Sequence, residues 1–154
     1  MDVNARGVFL ASKYALPHML ARGGGSIVNV SSGSAVAGGQ YPHRLWRVKG
    51  RDQFTYQYIA TQYGKQGIRC NAILPGLVLS SKAKRDVPPE ALAIFEKQTL
   101  TPYLGDPDHI GWLALFLASD EAAFGTGAVI PADGGLLQHQ TYSADMAELM
   151  AHTS

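Results

Sequence analysis

Cysteine is almost absent from this sequence, and so is any imbalance of charge. The single cysteine among the 154 residues, Cys70, cannot form an internal disulfide, which favours a reducing, cytoplasmic setting. Thirteen basic and twelve acidic residues give a formal net charge of +1, and the basic residues form no long tract. Nucleic-acid-binding proteins usually carry a basic patch, so we expect no nucleic-acid partner.

Long apolar runs and metal-ligand spacings are also missing. The apolar stretch near the N-terminus, Val8–Leu20, is broken by Lys13, Tyr14 and His18, which makes it unlike a signal peptide or a membrane span. We therefore expect no membrane association. We also expect no bound metal, because the histidines lack the short spacings of a zinc site. They are His18, His43, His109, His139 and His152.

The sequence does contain alternating helix and strand patterns. A short β-branched run at residues 26–31 predicts a strand buried on both faces, residues 68–74 predict another buried strand, and a third strand is predicted near residues 128–132. Helical periodicity predicts helices over residues 3–22, 48–63 and 107–118. Strands alternating with helices in this order indicate half of a doubly wound parallel sheet, an α/β fold.

The ends of these elements carry ordinary stop and start signals. Arg22-Gly23-Gly24-Gly25 is predicted to end the first helix, and Asp106 to cap the helix at 107–118. The buried stripe of that helix is predicted to be Ile110, Leu113, Ala114 and Leu117. Residues 80–105 are polar and predict a mobile flap with one modest helix near 89–97, whereas the tail after Leu137 has no strong pattern.

Several short motifs occur in an order typical of one enzyme family. They are Asn4, Ser31-Ser32, Lys49, Pro75-Gly76 and Asp133-Gly134-Gly135, within stretches such as "GSIVNVSS", "GIRCNAILPGLV" and "PADGG". Together they resemble the C-terminal part of a short-chain dehydrogenase/reductase. The resemblance implies a partial Rossmann-like domain over residues 1–137, lacking the Gly-rich first βαβ unit, followed by a tail at 138–154.

The family transfers hydride between a nicotinamide and the carbon of a small alcohol or ketone. By the resemblance, Ser32 would hold the substrate oxygen, Lys49 would lower the pKa of a catalytic tyrosine, and Asn4 would support a proton-relay water. The tyrosine is expected four residues before Lys49, but that position holds Leu45. A leucine cannot exchange a proton, so we expect a chain with this sequence to be inactive. Tyr41 is a poor substitute, since Pro42 disfavours helical conformation there.

The resemblance also implies NAD or NADP as the cofactor. The residues expected at its nicotinamide end are Lys49, Pro75, Gly76, Val78 and Ser80. No Gly-rich turn follows a strand and opens a helix in this sequence, because Gly23-Gly24-Gly25 comes after a helix and before a strand. We therefore expect cofactor binding by this chain to be doubtful and the choice between NAD and NADP to be undetermined.

The segment Tyr41–Arg51 is unlike its surroundings, since it is rich in bulky and basic residues. Its residues 44–51 can be encoded as CGC-CTA-TGG-CGT-GTC-AAA-GGC-CGG, which after a one-base shift reads Ala-Tyr-Gly-Val-Ser-Lys-Ala. That string contains the Tyr-x-x-x-Lys signature of the family. We therefore hypothesise a local frameshift that ends near Asp52.

Each site residue also has a purely structural interpretation. Ser32 could simply end a strand, Asn4 could be a helix-entry residue, Lys49 could be a solvated surface lysine, and Asp133 is expected to form a turn. A different class of function also stays open: a non-catalytic protein that forms homo-oligomers or associates with an intact paralogue. Its two long helices resemble those through which family members form dimers and tetramers.

Overall fold

A computed structural model describes residues 2–37, 52–140 and 142–151. These residues form three β-strands and six α-helices. The strands are β1 (Gly25–Val30), β2 (Ile68–Pro75) and β3 (Val129–Ala132). The helices are α1 (Asp2–Ala21), α2 (Asp52–Tyr63), α3 (Ser81–Asp86), α4 (Pro89–Gln98), α5 (Pro107–Ala118) and α6 (Ser143–Ala151).

The three strands form one parallel sheet in the order β1-β2-β3. Gly25 pairs with Ile68 at the start of β1, and Pro75 pairs with Ala132 at the end of β2. Parallel neighbours need a long crossover connection, and here each crossover contains helix. The α/β fold with a partial parallel sheet is thus confirmed.

The central strand β2 separates two apolar clusters, because successive side chains of a strand point to opposite faces. One face carries Ile68, Cys70 and Ala72, which pack with α1 and α2. The other face carries Ile73, which packs with Leu117 of α5. Burial raises the pKa of the Cys70 thiol to about 11, so the thiol stays protonated at neutral pH.

Helix α5 begins and packs as its sequence predicts. Asp106 accepts a hydrogen bond from the Asp108 amide at 3.1 Å, and the Asp106 amide donates to Nδ1 of His109 at 2.9 Å, which completes a capping box. The predicted apolar stripe of this helix lies against the second cluster: Ile110, Leu113, Ala114 and Leu117. The N-cap therefore sets where α5 begins, and the apolar stripe sets which side of the helix packs against the sheet.

Two polar side chains of β2 hold α5 and the loop after it against the sheet. The Arg69 guanidinium donates to the Leu117 and Ser119 carbonyls at 2.7 and 2.8 Å. Asn71, which is fully buried, donates from Nδ2 to the Gly125 carbonyl at 2.9 Å and accepts from the Ala128 amide at 3.0 Å. These side chains bond carbonyls at the end of α5, which have no partner within the helix, and backbone groups of the loop that follows it.

Three predictions about the fold are wrong in detail. Strand β1 is only half-buried and its last residue, Val30, is 59% exposed, because no strand of the described residues pairs with its outer edge. The region 80–105 contains two helices, α3 and α4, rather than one. The tail predicted to have no strong pattern contains α6. The predicted start of the second helix, residues 48–51, lies outside the described residues.

Candidate active site at the carboxyl edge of the sheet

The carboxyl ends of the three parallel strands lie side by side. The Ser31 amide donates to the Ile73 carbonyl at 2.8 Å, and the Gly76 amide donates to the Ala132 carbonyl at 3.1 Å. These two bonds extend the sheet one residue beyond β1 and β2. Open α/β sheets bind ligands in the crevice outside this edge, so the edge is the candidate site.

Ser32 lies at this edge, directly after β1. It begins a short 3-10 turn, Gly33–Ala35, and its hydroxyl accepts a hydrogen bond from the Ser34 amide at 3.3 Å. The Cα of Gly33 faces the end of β2, since a Cβ placed there would lie 3.6 Å from the Pro75 carbonyl oxygen. The structure thus brings the predicted substrate-binding serine beside the predicted Pro75-Gly76 motif.

Gly76 makes the closest backbone approach at the edge. A Cβ on Gly76 would lie 2.8 Å from both Cα and Cβ of Asp133, which is closer than real Cβ atoms pack. Only glycine lets the end of β2 run this close to the turn after β3. The Pro75-Gly76 motif therefore has a steric role in forming the edge, whatever it binds.

Asp133 organises the turn after β3, as predicted. Its carboxylate accepts hydrogen bonds from the Gly135 amide at 3.0 Å and the Leu137 amide at 2.9 Å. Gly134 and Gly135 have φ values of 65° and 85°, a conformation that favours glycine. The carboxylate is thus committed to backbone bonds, and its role is structural.

Val78 and Ser80 lie between the edge and the flap helices. Val78 forms a parallel bridge with Gly105, and the Leu79 amide donates to the Gly105 carbonyl at 2.7 Å. The Ser80 hydroxyl accepts from the Ala83 amide at 3.2 Å and caps α3. Ser80, predicted at the cofactor, therefore also determines where the first flap helix begins.

The structure describes the remaining predicted site residues only in part. Asn4 lies in the first turn of α1, but its side chain is outside the described part of the chain. Helix α1 ends at Ala21 and β1 begins at Gly25, so a short turn joins them. Lys49 and Leu45 both lie outside the described residues.

A cavity of about 450 Å³ opens beside the end of β3, next to the predicted site. Tyr103 and His109 lie on its wall and stack with ring centroids 5.6 Å apart. Neither Ser32 nor Pro75-Gly76 lines this cavity. The sequence did not predict that these two aromatic residues form a pair. The sole signal in the sequence for the position of His109 was its N3 position in the cap of α5. The full lining is Leu77, Thr101, Tyr103, Gly105, His109, Ile110, Pro131, Ala132, Asp133, Gly134, Gly135 and Gln138.

A family model described as "Enoyl-(Acyl carrier protein) reductase" matches residues 1–137. The chain belongs to the short-chain dehydrogenase/reductase family. A probable short-chain type dehydrogenase/reductase of Bradyrhizobium diazoefficiens is 38% identical over 145 residues, which cover 94% of this chain and 52% of the relative. A 7alpha-hydroxysteroid dehydrogenase of Bacteroides fragilis is 41% identical over 128 residues, 83% of this chain and 49% of the relative.

Solved structures of the family agree with this fold. A gluconate 5-dehydrogenase from Burkholderia cenocepacia, solved with NADP and tartrate, matches with a TM-score of 0.84 and 26% identity. The match covers 91% of this chain and 55% of that one. The chain thus spans about half the length of the family members it matches. None of its described helices has the length and hydropathy needed to cross a membrane.

Proposed function

We propose that this chain forms the nicotinamide side of an NAD(P)-dependent oxidoreductase site for a small alcohol or ketone, and that it is inactive with Leu45 in place. The observation that carries the first part is the meeting of Ser32, Gly76 and the Asp133 turn at one carboxyl edge. The observation that carries the second is Leu45 itself, which lies four residues before Lys49, where the family resemblance leads us to expect the catalytic tyrosine. A cytoplasmic setting accords with the single cysteine.

The geometry of the edge suits a nicotinamide and a substrate oxygen. The Ser32 hydroxyl accepts a hydrogen bond from the Ser34 amide, so its own proton can be donated to a carbonyl or alcohol oxygen. Gly76 keeps the end of β2 free of a side chain beside the strand ends. When bound, the cofactor would supply or accept the hydride, and Ser32 would orient the carbon that exchanges it.

The missing step is proton transfer. A tyrosine has a pKa near ~10 and needs a neighbouring lysine cation to act at neutral pH. Lys49 stands at the family position for that cation, but a leucine four residues earlier leaves it nothing to activate. The hydrocarbon side chain of Leu45 can neither donate nor accept a proton. We therefore propose that this chain could orient a substrate without reducing it.

The adenosine side of a dinucleotide cofactor needs a different element of the fold. In this fold the pyrophosphate lies against a Gly-rich turn at a helix N-terminus, and the chain contains no such turn after a strand. We therefore propose that these residues alone bind NAD or NADP weakly. The chemistry of the substrate beyond a small alcohol or ketone is left open, because one relative is named for a hydroxysteroid and another for gluconate.

A second candidate function, association with another family subunit, is favoured by a groove between α1 and α2. The groove has a volume of about 490 Å³ and is largely apolar along Leu16, Pro17 and Ile59. Phe9 and Tyr58 on its rim are 56% and 64% exposed. Exposed apolar surface of this kind is typical of protein interfaces. These helices resemble those through which family members form dimers and tetramers.

An NMR titration of the full chain with NADH tests the two candidates together. The proposed site predicts shifts of the backbone amides of Ser32, Gly76 and Val78, saturating only at high ligand concentration because binding is weak. Shifts confined to the α1–α2 groove would contradict the nicotinamide assignment, as would no shift at the edge at any concentration. Signals from Phe9 and Tyr58 that change with protein concentration, not with NADH, would favour association.

A further inference from the structure

The two flap helices, α3 and α4, differ in their polar contacts with the rest of the molecule. Among the described residues, the ion pairs of helix α3 stay within that helix: Lys82 and Arg85 both pair with Asp86. Helix α4, by contrast, is connected through its last turn to the C-terminal segment. The carboxyl end of α4 is therefore a point at which the C-terminal segment can control the position of the flap.

Lys97, in the last turn of α4, reaches two carboxylates of α6. Its Nζ lies 2.7 Å from Oδ1 of Asp145 and 2.8 Å from Oε2 of Glu148. Asp145 and Glu148 are three residues apart, so they lie on the same side of α6. The hydrogen bond to Asp145, and then that to Glu148, raises the pKa of Lys97 above its ordinary 10.5, so the lysine stays charged through neutral pH.

A second polar contact involves Gln98, the residue after Lys97 in α4. His139 shares one hydrogen bond with the Gly135 carbonyl at 3.0 Å and another, longer at 3.4 Å, with Oε1 of Gln98. The Leu100 amide donates to the Gly134 carbonyl at 2.8 Å, which fixes the chain just after α4 to the Asp133 turn. The end of α4 is thus linked to three successive parts of the C-terminal segment.

Apolar burial contributes little to this junction. Neither α4 nor α6 has a fully buried residue, and Ile94 and Met146 are 65% and 41% exposed. Without an apolar core between two helices, the polar contacts decide whether they stay together. Contacts between exposed charges are weak and screened by salt, so such a junction can open and close readily.

We propose that α6 is a strap that holds the carboxyl end of α4, with the ion pairs of Lys97 as the clasp between α4 and α6. When the clasp opens, α4 and α6 separate while the Gly134 bond keeps the flap attached at residues 100–101. The strap itself is independent of the enzymatic proposal. Its consequence, control of access to the carboxyl edge, rests on the proposed function.

Hydrogen exchange of the full chain, followed by mass spectrometry, tests the strap without any activity. Replacing Lys97 with methionine (Lys97→Met) keeps a long side chain and removes the charge. We expect exchange at α4 and α6 to rise by about two- to fivefold at low salt, and the difference from the original chain to shrink as salt screens the original clasp. Exchange in β2 should not change.

Lys82→Met is the matched control, since it makes the same substitution in a lysine whose ion pair stays within α3. The strap predicts that this variant leaves exchange at α6 unchanged. A triple charge swap, Lys97→Glu with Asp145→Lys and Glu148→Lys, should restore slow exchange at both helices. The proposal is overturned if Lys97→Met leaves α4 and α6 as slow as before, or if Lys82→Met accelerates α6 equally.

Discussion

Replacing Gly76 with alanine is expected to lower the free energy of unfolding by about 1–3 kcal/mol, the usual cost of overpacking a tight contact. The added Cβ would meet Cα and Cβ of Asp133 at 2.8 Å, so the end of β2 and the turn after β3 must separate. That separation would also strain the bond from the Gly76 amide to the Ala132 carbonyl. Urea unfolding followed by circular dichroism measures the effect.

Gly111→Ala supplies the matched control for this substitution. Gly111 lies inside α5, and a Cβ added there would meet no atom of the described residues within 4 Å beyond its own helix backbone and chain neighbours. Because alanine is the better helix former, this variant should be more stable than the original by about 0.5–1 kcal/mol. If Gly76→Ala were as stable as Gly111→Ala, the close approach of β2 to the Asp133 turn would be wrong.

Replacing Asn71 with leucine is expected to cost about 2–4 kcal/mol of stability, because two backbone groups lose the fully buried side chain that bonds them. The side-chain amide of Asn71 bonds both the Gly125 carbonyl and the Ala128 amide, and a leucine of similar shape can bond neither. Since water cannot reach this fully buried position, the lost bonds are not replaced. The same urea experiment reports the loss.

Asn29→Leu tests whether the effect is specific to Asn71. Asn29 occupies the neighbouring strand β1, is half-buried, and donates to the weak acceptor Sγ of Cys70 at 3.8 Å. Its replacement should cost less than about 1 kcal/mol. Equal losses for the two variants would mean that the loop after α5 does not depend on Asn71.

Local sequence signals were sufficient where one element decides its own structure. The predicted strand at residues 68–74 and the apolar stripe of α5 correspond to buried positions, and Asp106 caps the helix as predicted. In each case the signal lies within a few residues of the structure that it predicts.

The failures at β1 and α6 share a physical cause, because each depends on a partner distant in the sequence, whereas the interactions that support α3 are local. Whether β1 is buried on both faces depends on what lies beside its outer edge, which its own residues do not encode. Helix α3 has no apolar periodicity and depends on the Ser80 cap and the pairing of Lys82 with Asp86. Helix α6 is short, and the lysine that it binds lies in α4.

The candidate site was predictable to the extent that it consists of motifs at strand ends. Ser32, Pro75-Gly76 and the Asp133 turn were all predicted from short patterns, and the structure brings them to one edge. The steric demand at Gly76 was not predictable, because the atom that it approaches lies in another strand connection. The roles of Asn4, Lys49 and Leu45 stay predictions.

Turnover of the 154-residue chain tests the central claim most directly. The assay mixes the chain with NAD⁺ or NADP⁺ and small secondary alcohols, and with NADH or NADPH and the matching ketones, while the absorbance of reduced nicotinamide is followed. We predict no rate above that of buffer, because Leu45 cannot transfer the proton. A rate that scales with protein concentration and is abolished by Ser32→Ala would contradict this account.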